Sequence, residues 1–503
     1  MNNKIISFYK LQKIRKNNIS KTIGLAHGVF DLLHYGHILH LKKAKEQCDI
    51  LIVSITSSEF VNKGPNRPYY SNKKRLEIMS SLEIVDFVIL SNEKTAKTIL
   101  GTLKPNFYFK GDEYEDISKD YTKNIIKEIN VLKKNKGKII YTKEKTLSSS
   151  NIINKFFLQK TLEQSKFLEK LKKKLNFEKL KKITDKAKDT KVLIIGDAII
   201  DRYIFCKTLG KSPKEDVLSV AETYEEKYIG GIFATANHLS QFSKNVTLLT
   251  MIGDKGFNKN KIFSKLEKNI KNKIYIKKNF MTLEKTRYLH KDSNNKLFQK
   301  ANYRDFKTTS KIENQIIKFL NLNIKKYDVV IVNDFGHGLI TQKIKKIIQR
   351  KSKFLALNVQ TNSANSGYNY VSLYNKANYI TLDEPEARLS TQDNTSESKK
   401  LFKKIFKNTK FKHCSITHGK NGTRISNLKN TVYVPVFSDQ AIDTVGAGDA
   451  YFAITSIFMN HTKDMDIIGF VGNLAGAIQI SYLGHQKFVK QNELLGFAKS
   501  LLV

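Results

Sequence analysis

Tryptophan is absent from this 503-residue chain, and cysteine occurs only three times. Cys48, Cys206 and Cys414 lie far apart and form no CxxC pair, which excludes a zinc ribbon or disulfide framework and fits a reducing, cytoplasmic setting. No run of about 20 apolar residues occurs, so neither a membrane span nor a membrane partner is expected. The opening MNNKIISFYKLQKIRKNN has no apolar core and does not read as a secretory signal. Acidic residues are scarce too: 46 Asp and Glu stand against 88 Lys and Arg, a net charge of +42. Such an excess invites a nucleic-acid reading. The lysines are scattered through the whole chain beside abundant Asn and Ile, however, with no Arg-rich tail and no nucleic-acid-binding motif. That pattern is a bias of composition rather than one basic face, so no nucleic-acid partner is expected. A diffuse positive field would still collect nucleotides and sugar phosphates.

The apolar share of 40% suits a globular protein, and the chain is too long for one ordinary core, so two or more domains are expected. KTIGLAHGVF reads as a strand, GHILHLKKAKEQ as a helix, DILIVSIT as a buried strand and NKKRLEIMSSLEI as a helix. VDFVIL, PNFYFKG and GKIIYT supply further strands and KTAKTILGTL a helix. That alternation predicts a parallel sheet with helices on both faces. Residues 156–188 are helical and lysine-rich, without glycine or proline, and read as a connector that includes the first helix of the second domain. A second α/β alternation starts at KVLIIGDAIIDRYIF and continues through YDVVIVNDFG, KFLALNV, NYITLDE and HCSITHG. The expected architecture is two doubly wound α/β domains, 1–155 and 189–503, around the connector.

Two stretches carry chemistry. In HGVFDLLHYGHILHL a strand runs through a loop into a helix, whose N-terminal N–H groups and dipole suit a phosphate. Gly36 permits close backbone approach. His34 and His37 would present imidazole donors as charge moves onto a leaving pyrophosphate. A metal reading lacks a third ligand at zinc spacing, and two capping or surface histidines are the bland alternative.

The surrounding motifs resemble the nucleotidyltransferase superfamily of cytidylyltransferases and related adenylyltransferases, over about residues 22–155. Its H-x-G-H stands here as His34-Tyr35-Gly36-His37, preceded by Gly28, Phe30 and Asp31. NKGPNRPYYSNKKR is similar to its basic loop, with Lys63, Arg67 and Arg75. FKGDEY supplies Lys110, Gly111 and Asp112, and SSSNII supplies Ser148, Ser149 and Ser150 at a helix start. The resemblance implies that these residues, Arg75 aside, bind the nucleotide and that His34 and His37 serve nucleotidyl transfer.

In DTVGAGDA, the amides of Gly446, Ala447 and Gly448 can converge on an anion at a helix start, and Asp449 can take a proton from a hydroxyl. A glycine turn with a capping aspartate is the bland alternative. The segment resembles the signature of the ribokinase-like (PfkB) sugar kinases, and the similarity spans about residues 190–503. It implies that Asp449 is the catalytic base and that the Gly446–Gly448 amides form the anion hole. It places Asp197 and Asp201 of GDAIIDRY and Gly230 and Gly231 of KYIGGIFATAN near the sugar. It places Asp383, Glu386, Thr417, Gly419, Gly422 and Asn473 near ATP and magnesium. Four positions depart from that pattern. Ala234 replaces an asparagine, Asp383 replaces the asparagine of N-x-x-E, His337 stands where relatives often carry lysine, and Asn358 stands where aspartate is common.

Together the halves are similar to the bifunctional family that pairs a heptose-7-phosphate kinase with a heptose-1-phosphate adenylyltransferase in lipopolysaccharide precursor synthesis, here with the transferase first. The resemblance implies ATP-dependent phosphorylation of D-glycero-D-manno-heptose 7-phosphate at the anomeric hydroxyl. It also implies nucleotidyl transfer from ATP to a sugar 1-phosphate, giving ADP-sugar and pyrophosphate, after a separate phosphatase acts. Mg²⁺ is the implied cofactor, without a protein-only cage, and a homodimer through the kinase half is implied as well. The rivals are a kinase/cytidylyltransferase using CTP on another sugar or polyol phosphate, and a regulatory protein with a degenerate kinase half.

Overall fold

The computed structural model describes residues 3–65, 67–116, 120, 124–142, 161–256, 259–302, 307–362, 365, 367–407, 409–438 and 441–502. Two compact units emerge, Met1–Thr161 with Gly496–Val503, and Leu162–Leu495.

The first unit holds five parallel strands: β1 (Ile23–Gly28), β2 (Ile50–Thr56), β3 (Phe87–Ser91), β4 (Phe107–Gly111) and β5 (Lys138–Thr142), in the order β3-β2-β1-β4-β5. β1 runs beside β2 with Ile23 opposite Ile50, and beside β4 with Gly24 opposite Phe107. Successive side chains go to opposite faces. Leu25, Ile52 and Tyr108 therefore join one apolar cluster, and Ala26, Val53 and Phe109 join another. Both faces are covered, which is why β2 is buried along its whole length. The helix read over NKKRLEIMSSLEI stops at Ser80, because Leu82 and Ile84 turn back to pack against the second cluster.

The second unit is built on two sheets. In chain order their strands are β6 (Lys191–Gly196), β7 (Ala198–Lys211), β8 (Leu218–Gly231), β9 (Asn245–Lys255), β10 (Ile270–Met281), β11 (Leu283–His290), β12 (Lys296–Ala301), β13 (Val329–Asp334), β14 (Leu355–Val359), β15 (Lys376–Asp383), β16 (Lys410–Thr417), β17 (Thr423–Ser426) and β18 (Thr431–Val434). The larger sheet has nine strands in the order β10-β9-β6-β13-β14-β15-β16-β17-β18. They are parallel except at the β16-β17-β18 edge. The smaller, four-stranded sheet, β12-β11-β7-β8, was not legible as an α/β alternation. The opening stretch KVLIIGDAIIDRYIF divides at Asp197, sending β6 into the large sheet and β7 into the small one. Much of β8 is exposed and rich in Glu and Tyr, so its pattern lacks the apolar run that marks a buried strand.

The basic stretch before β6 forms helices Leu162–Lys172 and Phe177–Ala187. Both are bound into the second unit. Lys174 donates to Asp464 at 2.8 Å and Gln164 to the carbonyl of Val436 at 2.8 Å, while Leu180 and Thr184 are buried. Among the described residues no helix is long and apolar enough to cross a membrane.

Candidate active sites

In the first unit the chain changes direction across the sheet at β1, with β2 and β3 on one side and β4 and β5 on the other. Loops leaving the C-terminal ends of β1 and β4 therefore diverge and open a crevice. His34 is the N-cap residue of helix Tyr35–Lys45, but its side chain does not cap it. Its ring instead stacks on His37, with centroids 3.9 Å apart and planes at 25°, and Phe30 leans on His37 at 5.3 Å. Burial, with His34, Lys63 and His40 nearby, pushes His37 down to about 3. Burial and Lys63 lower His34 as well, so both imidazoles are neutral near pH 7. Both nitrogens of His34 and Nδ1 of His37 are buried with no hydrogen-bond partner among the described residues. Such atoms are costly unless a ligand answers them.

The loop before the histidines is tightly fixed. Phe30 adopts a left-handed φ of 46°, and a side chain at Gly28 would press on its ring at 3.1 Å. Gly36 leaves room for the His34 ring, which a Cβ there would meet at 3.2 Å. Asp31 is buried, accepts the Tyr70 N–H at 3.1 Å and faces Arg67 at 3.6 Å. Arg75, read as part of the basic loop, is a structural residue instead. It is buried, and it donates to the carbonyls of Val29, Thr56 and Tyr70 and to the side chains of Ser58 and Asn72. Lys110 is buried 3.5 Å from Glu128, which also accepts from the Tyr108 hydroxyl and the Ala96 N–H. Gly111 ends β4, and exposed Asp112 opens the short turn Asp112–Tyr114. Ser148, Ser149 and Ser150 lie outside the described residues.

In the second unit, Gly446 (φ 81°) is the N-cap residue of helix Ala447–His461, and Asp449 sits buried in its first turn. Burial, then the charge of Asp201, pushes the Asp449 carboxyl up to about 7. Gln360 donates to its Oδ1 at 3.1 Å and Asn333 at 3.4 Å. A side chain at Gly448 would meet nothing within 4 Å, so the turn is open there.

Asp201 is paired rather than free. Arg287 donates to Oδ1 at 2.5 Å and His485 stands 3.5 Å from Oδ2. A Cβ on Gly230 would lie 1.9 Å from that Oδ2, which explains the glycine; Gly231 (φ 55°) turns the chain into helix Ile232–Ser240. Ala234 is inside that wholly buried helix. The Asp197 carboxylate accepts the N–H groups of Phe335, His337 and Leu339, each at 3.2 Å, and so holds a loop. Burial and Asp334 push it up to about 7. Burial and Lys285 hold His337 down at about 4, leaving it neutral.

Asp383 caps helix Glu384–Thr391 in a reciprocal box, accepting from the Glu386 N–H at 2.7 Å while Glu386 accepts from its own N–H at 2.8 Å. Aspartate and asparagine cap equally well, so the departure from N-x-x-E is tolerated locally. Burial and Asp383 push Glu386 up to about 8. Thr417 ends β16, and Gly419 (φ 54°) and Gly422 (φ 77°) shape the turn after it. The Asn473 amide donates to the Val434 and Pro435 carbonyls and accepts from Thr423, tying its helix to β17 and β18.

Sequence reasoning missed Lys285, Arg287, Gln360 and His485. Lys285 and Arg287 sit on β11, and only the register of the small sheet reveals them. His485 lies beyond the last recognised motif, yet its ring would be 2.5 Å from a Cβ on Gly446.

Comparison with known proteins agrees with this geometry. Residues 189–492 match the family described as pfkB family carbohydrate kinase, and residues 25–155 that described as cytidylyltransferase-like. Bifunctional protein HldE of Campylobacter jejuni (strain RM1221) is 25% identical over 297 residues, 58% of this chain and 62% of the relative. Bifunctional protein HldE of Campylobacter fetus subsp. fetus (strain 82-40) is 35% identical over 154 residues, 30% of this chain and 31% of the relative. The chain thus spans less than two thirds of the length of these curated relatives. The crystal structure of phosphofructokinase-2 from Escherichia coli in complex with potassium shares the fold, with a TM-score of 0.50 and 13% identity over 62% of this chain and 99% of that one.

Proposed function

We propose, for a chain that belongs to the pfkB family of carbohydrate kinases and carries a cytidylyltransferase-like half ahead of the kinase, that it is a bifunctional sugar-activating enzyme. The kinase half phosphorylates the anomeric hydroxyl of a sugar phosphate with ATP, the acceptor being D-glycero-D-manno-heptose 7-phosphate. The transferase half couples a sugar 1-phosphate to a nucleotide from ATP and releases pyrophosphate. The observation that carries the reading is Asp449, a buried carboxyl held at about 7 one residue after the Gly446–Gly448 turn. A base poised near working pH takes the hydroxyl proton as the oxygen attacks the γ-phosphorus. The oxygen–phosphorus bond to ADP breaks, and the amides at the helix start meet the charge on the phosphoryl oxygens.

In the transferase half, an oxygen of the sugar 1-phosphate attacks the α-phosphorus and pyrophosphate leaves. The unanswered imidazole nitrogens of His34 and His37, with Lys63, face the charge that develops on it. Among the described residues, no group of three His, Cys, Asp or Glu side chains could hold a metal ion. The hard oxygens of Asp383 and Glu386 suit Mg²⁺, and we assign them to it through water, with most ligands from the nucleotide. The cation would neutralise the phosphates. Cytoplasmic residence and sugar-phosphate and nucleotide partners belong to the same reading.

A second reading, CTP with another sugar or polyol phosphate, is favoured by the cytidylyltransferase-like match. One experiment tests both: the full-length chain with each nucleoside triphosphate and a panel of sugar phosphates, reading ADP and pyrophosphate separately. His37→Ala is expected to stop pyrophosphate release and spare ADP formation. Loss of both activities in folded protein would rule out two separate sites.

A further inference from the structure

Three cations of the small sheet approach the kinase site, and two are committed. Arg287 donates to Asp201, and Lys296 stands 2.7 Å from Asp443. Lys285 is different. It is half-buried, and its ammonium makes no hydrogen bond or ion pair among the described residues. Its position follows from strand register: β11 runs parallel to β7 with Lys285 opposite Asp201 and Arg287 opposite Tyr203. Residues two apart on a strand share a face, and Arg287 bonds Asp201, so Lys285 shares the face that carries Asp201. Its ammonium stands 5.9 Å from the Phe335 ring, and the Phe335 N–H is bound to Asp197. Burial and the charge of Arg287 disfavour its proton and lower it on balance, while the charges of Asp201, Asp449 and Asp197 favour it. An anion entering this cluster of carboxylates meets no other uncommitted cation in these contacts, because His337 is neutral.

Resting on the kinase reading above, we propose that Lys285 is the cation that receives the phosphoryl group in transit from ATP to the acceptor hydroxyl. In that step the acceptor oxygen–phosphorus bond forms, the bond to ADP breaks and the proton passes to Asp449. Charge is spread over the three equatorial oxygens, and an ammonium is a compact point charge suited to them. A uniformly bound group would change KM alone, whereas contact made in the transition state changes kcat.

The test uses full-length wild type, Lys285→Met, Lys285→Gln and Lys285→Arg with ATP. The acceptors are D-glycero-D-manno-heptose 7-phosphate and the same heptose without its phosphate. ADP, pyrophosphate and thermal melting are read. Lys285→Met and Lys285→Gln are expected to lose kcat by about a hundredfold on both acceptors, with KM little changed. Lys285→Arg is expected to recover part of the loss, and pyrophosphate release at the other site, read with a heptose 1-phosphate supplied directly, is unaffected. Wild-type kcat in either neutral variant overturns the proposal. A raised KM confined to the phosphorylated acceptor also overturns it, because Lys285 would then read the acceptor's own phosphate. If the wild type forms ADP with neither acceptor, the kinase reading on these acceptors fails and takes Lys285's role with it.

Discussion

Asp449→Asn separates catalysis from folding, because the two respond in opposite directions. Asparagine keeps the oxygen that accepts from Gln360 and Asn333 and removes the basic site. A base in hydrogen-bond reach contributes on the order of 10²–10⁴ in rate, so kinase turnover is expected to fall at least about a hundredfold. Stability moves the other way. The folded protein holds the Asp449 proton to about 7, against an ordinary 3.8. The stabilisation that comes from keeping this proton is fully present below pH 3.8 and is lost as the pH rises through 7. Above that point the buried charge costs at most about 4 kcal/mol. A neutral isostere escapes the cost, so the Asn variant is expected to melt with wild type near pH 4 and above it at pH 8. Wild-type turnover is expected to climb through about pH 7 as the base ionises. The assays are ADP formation against pH and differential scanning calorimetry at both pH values. Near-normal turnover in the variant would reduce Asp449 to a helix-terminal residue, and a lower melting temperature at pH 8 would refute the buried-charge account.

Gly230→Ala should drive Asp201 off Arg287, since the new Cβ would stand 1.9 Å from its carboxylate. Acceptor KM in the kinase assay is expected to rise about tenfold or more with pyrophosphate release unchanged. Arg75→Met should destabilise the first unit by about 3 kcal/mol or more, because it strips donors from five neutral acceptors. Denaturant melts would show this, whereas a phosphate ligand would change only the nucleotide KM. Asp383→Ala should cost about 1 kcal/mol and Asp383→Asn almost nothing, as measured by chemical denaturation.

The parallel sheet of the first unit was legible because burial on both faces leaves unbroken apolar runs such as ILIVSIT. The candidate sites could be proposed where the motif is local in sequence, as in H-x-G-H and GAGDA, and the structure places both motifs at helix starts. The small sheet was not, because β8 meets solvent along much of its length and offers no apolar signal. Arg75 shows the limit of reading charge from spacing. It stands in the same basic stretch as Lys63 and Arg67, and only the three-dimensional arrangement shows that three backbone carbonyls and two side chains have claimed it. Asp197 shows a second role that spacing does not reveal, since its carboxylate also accepts three N–H groups of the loop after β13.

The departures from the kinase pattern leave a connected hydrogen-bond network around Asp449 rather than a broken one. Asn358 donates to the Thr381 carbonyl and hydroxyl and accepts from Gln360, which also donates to Asp449. An ionised aspartate at 358 could make neither donation and would set a further negative charge close to Asp449. The asparagine therefore keeps the base's hydrogen-bond network satisfied, which a buried polar chain requires if it is not to destabilise the fold. His337 is neutral, and on the proposal above Lys285 would supply the charge from the neighbouring sheet. Drift in an unused site would remove members of such a network one at a time and leave their partners unanswered. Here Gln360 bridges Asn358 and Asp449, so the network around the proposed base stays connected.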